Sequence, residues 1–252
     1  MRRMDSSGRL LIDVRETLAF FDEVGAGSRG HVSSVVAVLG EDLGAALLQR
    51  CLLETRGVST RVLMRDGRPL TPTTGERKGR RLDRWLLGTG ADGGRTLFQV
   101  EIKNWSATAI GHGALALDAD DDARSAFGAR SWARYWSEAE GAFAGEHIGK
   151  VLHKMSLPPH DVGSDGRRVK FTPPLSPSEV VPVVCFWSAV RCSEGMDALA
   201  EFRLPAAVGD FDRLLVFSMS NYLRGVGEGT LELEMPSAAR RIGWLNRLCA
   251  TV

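Results

Sequence analysis

The sequence predicts an α/β domain built on a mixed central sheet flanked by helices. Three observations predict it. Residues 31–54, HVSSVVAVLGEDLGAALLQRCLLE, have the length and apolar period of a long helix. Residues 58–105 carry three strand-type segments in close succession, which reads as a meander. Finally, VVPVVCFWSAV (180–190) and RLLVFSMS (213–220) are continuous apolar runs, the pattern of strands buried on both faces.

The remaining elements follow in chain order. Residues 12–24 read as a short helix, broken by GAGSRG. The meander starts with VSTRVLMR (58–65), and DGRP marks a turn. TPTTGERKG reads as a polar loop. The next two strands, RRLDRWLLG (80–88) and RTLFQVEIKNW (95–105), are joined by TGADGG, a hairpin-type connector. Residues 118–155 are helical in composition, with two helices divided near Gly141 or Gly145. LPPHDVGSDGRR and FTPPLSPSE read as a loop rich in Pro, Gly and Ser. TLELEM is a last strand, and PSAARRIGWLNRLC a last helix with Pro236 near its start. Residues 1–30 are expected to form a helical extension and residues 31–252 a single domain.

Composition bounds the function. The chain has 252 residues, 44% hydrophobic and 25% charged, enough for one large core. The net charge of +1 excludes a general polycation, but the charge is uneven. Residues 61–103 hold ten Lys/Arg against five Asp/Glu, a local +5, whereas residues 118–148 hold seven acids against three Arg, a local −4. A local basic stretch can bind phosphate without a basic whole, although a solvated surface has the same pattern. Cys51, Cys185, Cys192 and Cys249 are scattered, with no CxxC pair and no accompanying His cluster, which argues against zinc and for reduced thiols. No apolar run reaches the length of a membrane span and no secretory apolar region opens the sequence, so a cytoplasmic protein without a membrane partner is expected.

Four residues carry the chemistry. Glu41 lies in line with Ser34, Ala37, Ala45, Leu48 and Leu52 on a 3.6-residue helix. A carboxylate on such a stripe must be paired, protonated or bound to a cation, unless that part of the helix is exposed. Asp83 interrupts a strand pattern, a place where Asp is depleted because its side chain competes for backbone hydrogen bonds. An edge-strand charge is the plain alternative. Glu101 and Lys103 stand two apart in a hydrophobic strand and so share a face. With 31 acids and five lysines among 252 residues, chance gives about 0.6 acid-x-Lys pairs. The sequence has two, the other being Glu76-Arg77-Lys78 in a polar loop. The tripeptide gains weight from its strand, from Asp83 upstream and from the Glu-bearing helix before both.

Helix with Glu41, strand with Asp83, and following strand with Glu101-Ile102-Lys103: this arrangement resembles the PD-(D/E)xK, or restriction-endonuclease-like, nuclease superfamily over residues 31–105. Leu82 stands where the family often has proline. The resemblance implies a restriction-endonuclease-like fold and Mg²⁺-dependent hydrolysis of phosphodiester bonds, with Mn²⁺ expected to substitute. It assigns Asp83, Glu101 and the Ile102 carbonyl to the metal, with Glu41 reaching the same ion through water or helping to hold a second. Oxygen ligands suit so hard a cation. Lys103 would orient or deprotonate the attacking water, a role for which its amine is suited and a guanidinium is not.

Gln99 shares the face of Glu101 and Lys103, where it would position water or substrate unless it is a plain surface residue. Arg77, Lys78, Arg80, Arg81 and Arg84 cluster around Asp83 as candidate phosphate contacts, against the alternative of a charged loop. Trp105 directly follows the motif; Trp132, Tyr135 and Trp136, at i, i+3 and i+4 of a helix, are more simply core residues than base-stacking ones, and the acidic run 118–122 is more simply a helix N-terminus than a metal site. The substrate expected is DNA rather than RNA. A homodimer or a regulatory protein partner, and a role in anti-phage defence, are further expectations. The alternatives are a non-catalytic nucleic-acid-binding or assembly subunit of the same fold, and an α/β protein whose charged strand is only a surface.

Overall fold

The computed structural model describes residues 8–24, 31–65, 68–69, 73–74, 80–81, 83–103, 159–162, 168–170, 179–187, 198–203, 211 and 213–249. Its centre is a six-stranded mixed sheet. From one edge to the other the order is β12 (Leu199–Arg203), β13 (Arg213–Ser218), β11 (Glu179–Phe186), β8 (Arg95–Lys103), β7 (Arg84–Thr89) and β2 (Ser59–Val62). Strands β8, β11 and β13 run parallel, while β7, β2 and β12 are antiparallel to their neighbours. The expected mixed α/β sheet is thus present, and the meander is β2–β7–β8.

Local chemistry accounts for the β7–β8 hairpin. The Gly90 N–H donates to the Gly94 carbonyl (2.9 Å), the Gly93 N–H to the Gly90 carbonyl (3.0 Å), and the Asp92 carboxylate accepts from the Gly94 N–H (2.9 Å). Gly93 has φ +78°, which glycine adopts at no steric cost.

One face of the sheet packs on α2 (His31–Arg56). Phe98, Val100 and Ile102 of β8, Val183 and Cys185 of β11, and Phe217 of β13 form one buried cluster with Leu43, Leu47, Leu48, Cys51 and Leu52 of α2. Gly44 lets the helix come close: a Cβ there would lie 3.0 Å from Ile102 Cγ2 and 3.1 Å from Met219 Sδ. Tyr222, on α3 (Met219–Val226), donates to Glu54 Oε2 at 2.7 Å and so ties α3 to α2. The alternate residues Trp85, Leu87, Leu97, Gln99, Glu101, Val184 and Phe186 face the other way, and they are buried too. Burial on both faces explains why these strands read as continuous apolar runs rather than alternating ones.

Several elements differ from expectation. The segment expected as a helical extension opens with a strand, β1 (Arg9–Asp13), followed by α1 (Val14–Val24). β1 pairs antiparallel with β14 (Thr230–Glu234), and Leu10 and Ile12 pack inward beside Leu231 and Leu233. The early strand 58–65 divides at Leu63 into β2 and β3 (Met64–Arg65), and β3 pairs with β4 (Arg68–Pro69). The expected loops at 71–79 and 157–168 contain β5 (Thr73–Thr74) and β9 (Pro159–Val162), and the expected strand 80–88 divides into β6 (Arg80–Arg81) and β7. With β10 (Arg168–Lys170), strands β5, β6 and β9 form a small sheet in the order β10-β9-β5-β6. Pro159 is the first residue of β9, a position where a missing N–H is tolerated. The last helix, α4 (Pro236–Cys249), matches its expected range. The expected helices of 118–155 lie outside the described residues. Among the described residues, no helix is long and apolar enough to cross a membrane.

Cys51 and Cys185 are free and buried in the core. Burial pushes the Cys51 thiol up to about 11 and the Cys185 thiol well above its ordinary value. At pH 8 a thiol of that acidity is only about one part in a thousand thiolate. Peptide-resolved alkylation of the native protein at pH 8 is therefore expected to spare both residues, with full labelling in urea. Rapid native labelling of either would contradict the packing.

The close approach at Gly44 gives a second expectation. Gly44→Val drives a branched side chain into Ile102 and Met219 and is expected to destabilise by about 1–3 kcal/mol, the cost of overpacking a core. The midpoint of urea unfolding measures it. An unchanged midpoint would mean that α2 is not seated on β8 here.

Candidate active site at the ends of β7 and β8

Strand β8 ends with Glu101, Ile102 and Lys103, beside the end of β11 and, beyond it, the end of β13: Phe186 pairs with Lys103 on one side and with Ser218 on the other. Carboxyl ends of parallel strands are where open α/β sheets hold ligands. Because β7 runs the other way, its beginning lies at this same end, and just before that beginning stands Asp83.

Asp83 is not inside the strand, as its sequence context suggested. It occupies a bend, and the ladder begins at Arg84, opposite Val100. One step back along that register sets Asp83 across from Glu101. Its Oδ2 accepts the N–H of Ile102 at 2.7 Å, so the side chain stands in for the backbone acceptor that a longer β7 would supply. The N–H and C=O of one strand residue project to the same side, so the Ile102 carbonyl is directed toward Asp83 as well. The negative charge of Asp83 also adds to the effect of burial in raising the Cys185 thiol, which sits opposite Ile102.

Glu101 is 5% exposed and lies on the face turned away from α2, with Gln99 behind it at 4%. Gln99 is therefore an interior residue rather than a surface one, and its buried Oε1 has no hydrogen-bond partner among the described residues. Lys103 is the last residue of β8. Its side chain, those of Arg80 and Arg81 in β6, and residues Arg77, Lys78, Trp105, Trp132, Tyr135 and Trp136 lie outside the described structure.

Two expected roles need correction. Arg84, read as a phosphate contact, is 5% exposed and faces α2. Its Nη2 donates to Asp42 Oδ1 (2.7 Å), and its Nη1 to Glu41 Oε2 (2.8 Å) and to the Asp83 carbonyl (2.6 Å). A guanidinium so buried and so paired serves the interior. Glu41, expected to reach the ion of Asp83 and Glu101 through water or to help hold a second, meets that guanidinium, with its side chain 41% exposed. The reason is the period of two in a strand: Arg84 and Val100 share the face that α2 covers, whereas Glu101 points to the other. Of the three outcomes open to a carboxylate on the apolar stripe, Glu41 takes the ion pair.

Asp42 is the residue that the sequence reading missed. Its Oδ2 accepts the N–H of Ala238, in the first turn of α4, at 2.6 Å. The stripe argument applied to Glu41 would have found it, since Val35, Val38 and Ala46 lie in line with Asp42 at the same helical spacings.

Among the described residues, no three His, Cys, Asp or Glu side chains cluster as a metal-binding group. The oxygen donors of Asp83, Glu101 and Ile102, at adjacent register positions, still suit a hard cation that takes one or two carboxylates and completes its shell with water and phosphate. No family model matches the sequence, and comparison with curated proteins and with solved structures gives no match.

The Arg84 network yields a graded expectation. Removing one partner of a buried pair leaves a charge uncompensated, so Arg84→Ala is expected to cost about 3–5 kcal/mol in urea unfolding. Glu41, with a side chain 41% exposed, is solvated when its partner goes. Glu41→Gln is expected to cost no more than about 1 kcal/mol. Equal costs for the two would contradict the buried position of Arg84.

Proposed function

We propose that this protein is a metal-dependent nuclease with a restriction-endonuclease-like fold, hydrolysing phosphodiester bonds in DNA rather than RNA. The observation that carries the reading is the hydrogen bond from the Ile102 N–H to the Asp83 carboxylate. It sets an acid from the start of β7 against the Glu101-Ile102-Lys103 stretch at the end of β8. The helix–meander–parallel-strand order of the sheet supports the same reading.

In this proposal Asp83, Glu101 and the Ile102 carbonyl hold the cation, Mg²⁺ or Mn²⁺. When bound, the cation polarises the phosphodiester and lowers the pKa of a coordinated water. Lys103 orients the attacking water, takes its proton and offsets charge on the phosphoryl oxygens. Gln99, behind Glu101 with an unpartnered amide oxygen, positions water at the same strand. Glu41 acts through Arg84 rather than on the ion. Phosphate contacts fall to the basic residues 77–81, whereas Arg84 is excluded from them by its burial. A nuclease of this kind needs gating, for which a homodimer or a regulatory protein in anti-phage defence is the proposed setting.

The test is a cleavage assay on DNA and RNA with Mg²⁺ or Mn²⁺, run beside nucleic-acid binding in Ca²⁺ and calorimetric metal titration. Glu101→Gln keeps shape but removes an anionic ligand, so metal affinity and cleavage are both expected to be lost. Lys103→Ala is expected to lower turnover by about 10²–10⁴-fold, with metal binding kept and DNA affinity reduced only modestly. Lys103→Arg is not expected to restore turnover, because guanidinium stays protonated. Wild-type cutting by the alanine variant would make Lys103 a salt-bridge residue. If the wild-type protein cuts no nucleic acid with either metal, the non-catalytic subunit is the reading that stands.

A further inference from the structure

We propose that Asp42 and Arg84 are positioning residues that hold Asp83 in place for the divalent cation, anchored on the first turn of α4. This rests on the nuclease reading above. Asp83 lies in a bend, one residue before the ladder of β7 begins. A ligand placed there needs a support other than strand pairing. Arg84 provides one through its donation to the Asp83 carbonyl at 2.6 Å.

Arg84 is held in turn. Asp42 takes its Nη2 on one carboxylate oxygen and the Ala238 N–H on the other. Helical bonding in α4 starts with the Ala239 N–H, which donates to the Met235 carbonyl. Ala238 therefore has one of the orphan N–H groups of a helix start, a place that favours a carboxylate. Asp42 thus joins the end of one helix to the guanidinium that steadies Asp83.

Both Arg84 and Asp42 are 5% exposed. A buried ion pair is a weak source of stability, because desolvating two charges offsets their attraction, and an apolar pair of similar volume often does as well. An apolar pair lacks directional donors. Arginine offers a planar fork with its donors in set directions, and here one points at Asp83 while the others meet Glu41 and Asp42. The position of Asp83 is what the charged pair supplies and an apolar pair would not.

The experiment is calorimetric titration of the full chain with Mn²⁺, well below its unfolding temperature. Asn at position 42 has a single acceptor oxygen and cannot serve both Arg84 and Ala238. Asp42→Asn is expected to stay folded by circular dichroism and to bind Mn²⁺ about 10–100-fold more weakly, the usual effect of losing an outer support of a metal ligand. The double variant Asp42→Leu/Arg84→Met replaces the charged pair by an apolar one. It is expected to recover much of the unfolding midpoint and none of the Mn²⁺ affinity, whereas a purely structural role would restore both. Should Asp42→Asn fail to fold, the double variant decides alone. Wild-type affinity in either folded variant overturns the positioning role and leaves the nuclease reading standing. Absence of Mn²⁺ binding by the wild-type protein overturns both.

Discussion

The buried pair of Arg84 and Asp42 is the interaction that ties α2 and α4 to the start of β7. It joins residues 42 positions apart, and the same aspartate bonds the Ala238 N–H 196 positions away. Three elements, α2, β7 and α4, are thereby fixed at one point. The pairing of β1 with β14 closes the chain near the same place, since the Met235 N–H donates to the Gly8 carbonyl one residue before α4 begins. The long helix and the C-terminal helix therefore meet at two charges that are almost fully buried. Their directional bonds matter more than their net energy, because burial of an ion pair costs about what its attraction returns.

Around that point the sheet separates two sets of acids. Glu41 and Asp42 come from the helix side and meet Arg84. Glu101, with the amide of Gln99 behind it, faces the other way, and Asp83 stands between, bonded to the backbone of Ile102. The proposed site is therefore smaller than the three-acid cluster expected. In that proposal it has two carboxylates and a carbonyl near the end of β8, a donor set that suits a small hard cation keeping part of its water shell. The shortness of β7 is essential. A strand beginning two residues earlier would pair Ile102 with backbone and leave the Asp83 side chain nothing to replace.

Much of the fold was legible in the chain. The buried strands β11 and β13, the TGADGG hairpin, the long helix and the last helix appear where periodicity and turn chemistry put them, although the run expected at 213–220 gives way to helix after Ser218. The short strands β5, β9 and β10 were not legible, because two to four residues carry no period and their Pro- and Gly-rich surroundings are also the composition of loops. β1 was hidden for a similar reason: IDV reads as well at the head of a helix as at the end of a strand, and only pairing with Thr230–Glu234 distinguishes them.

For the site, the sequence alone determined which residue types are grouped near Glu101 and that the acid at 83 breaks a strand pattern. Linear order carries that much, because strand alternation and helix period are local properties. The partner of each charge was decided only in three dimensions. Arg84 is followed by Trp85, Leu86 and Leu87, apolar on both faces of the strand, so no alternation marks which way it points, and nothing near it in the sequence announces Asp42. Ion pairs form between surfaces that meet when helix and sheet pack, and that meeting is set by the close approach at Gly44 and by the arrival of α4 from the far end of the chain.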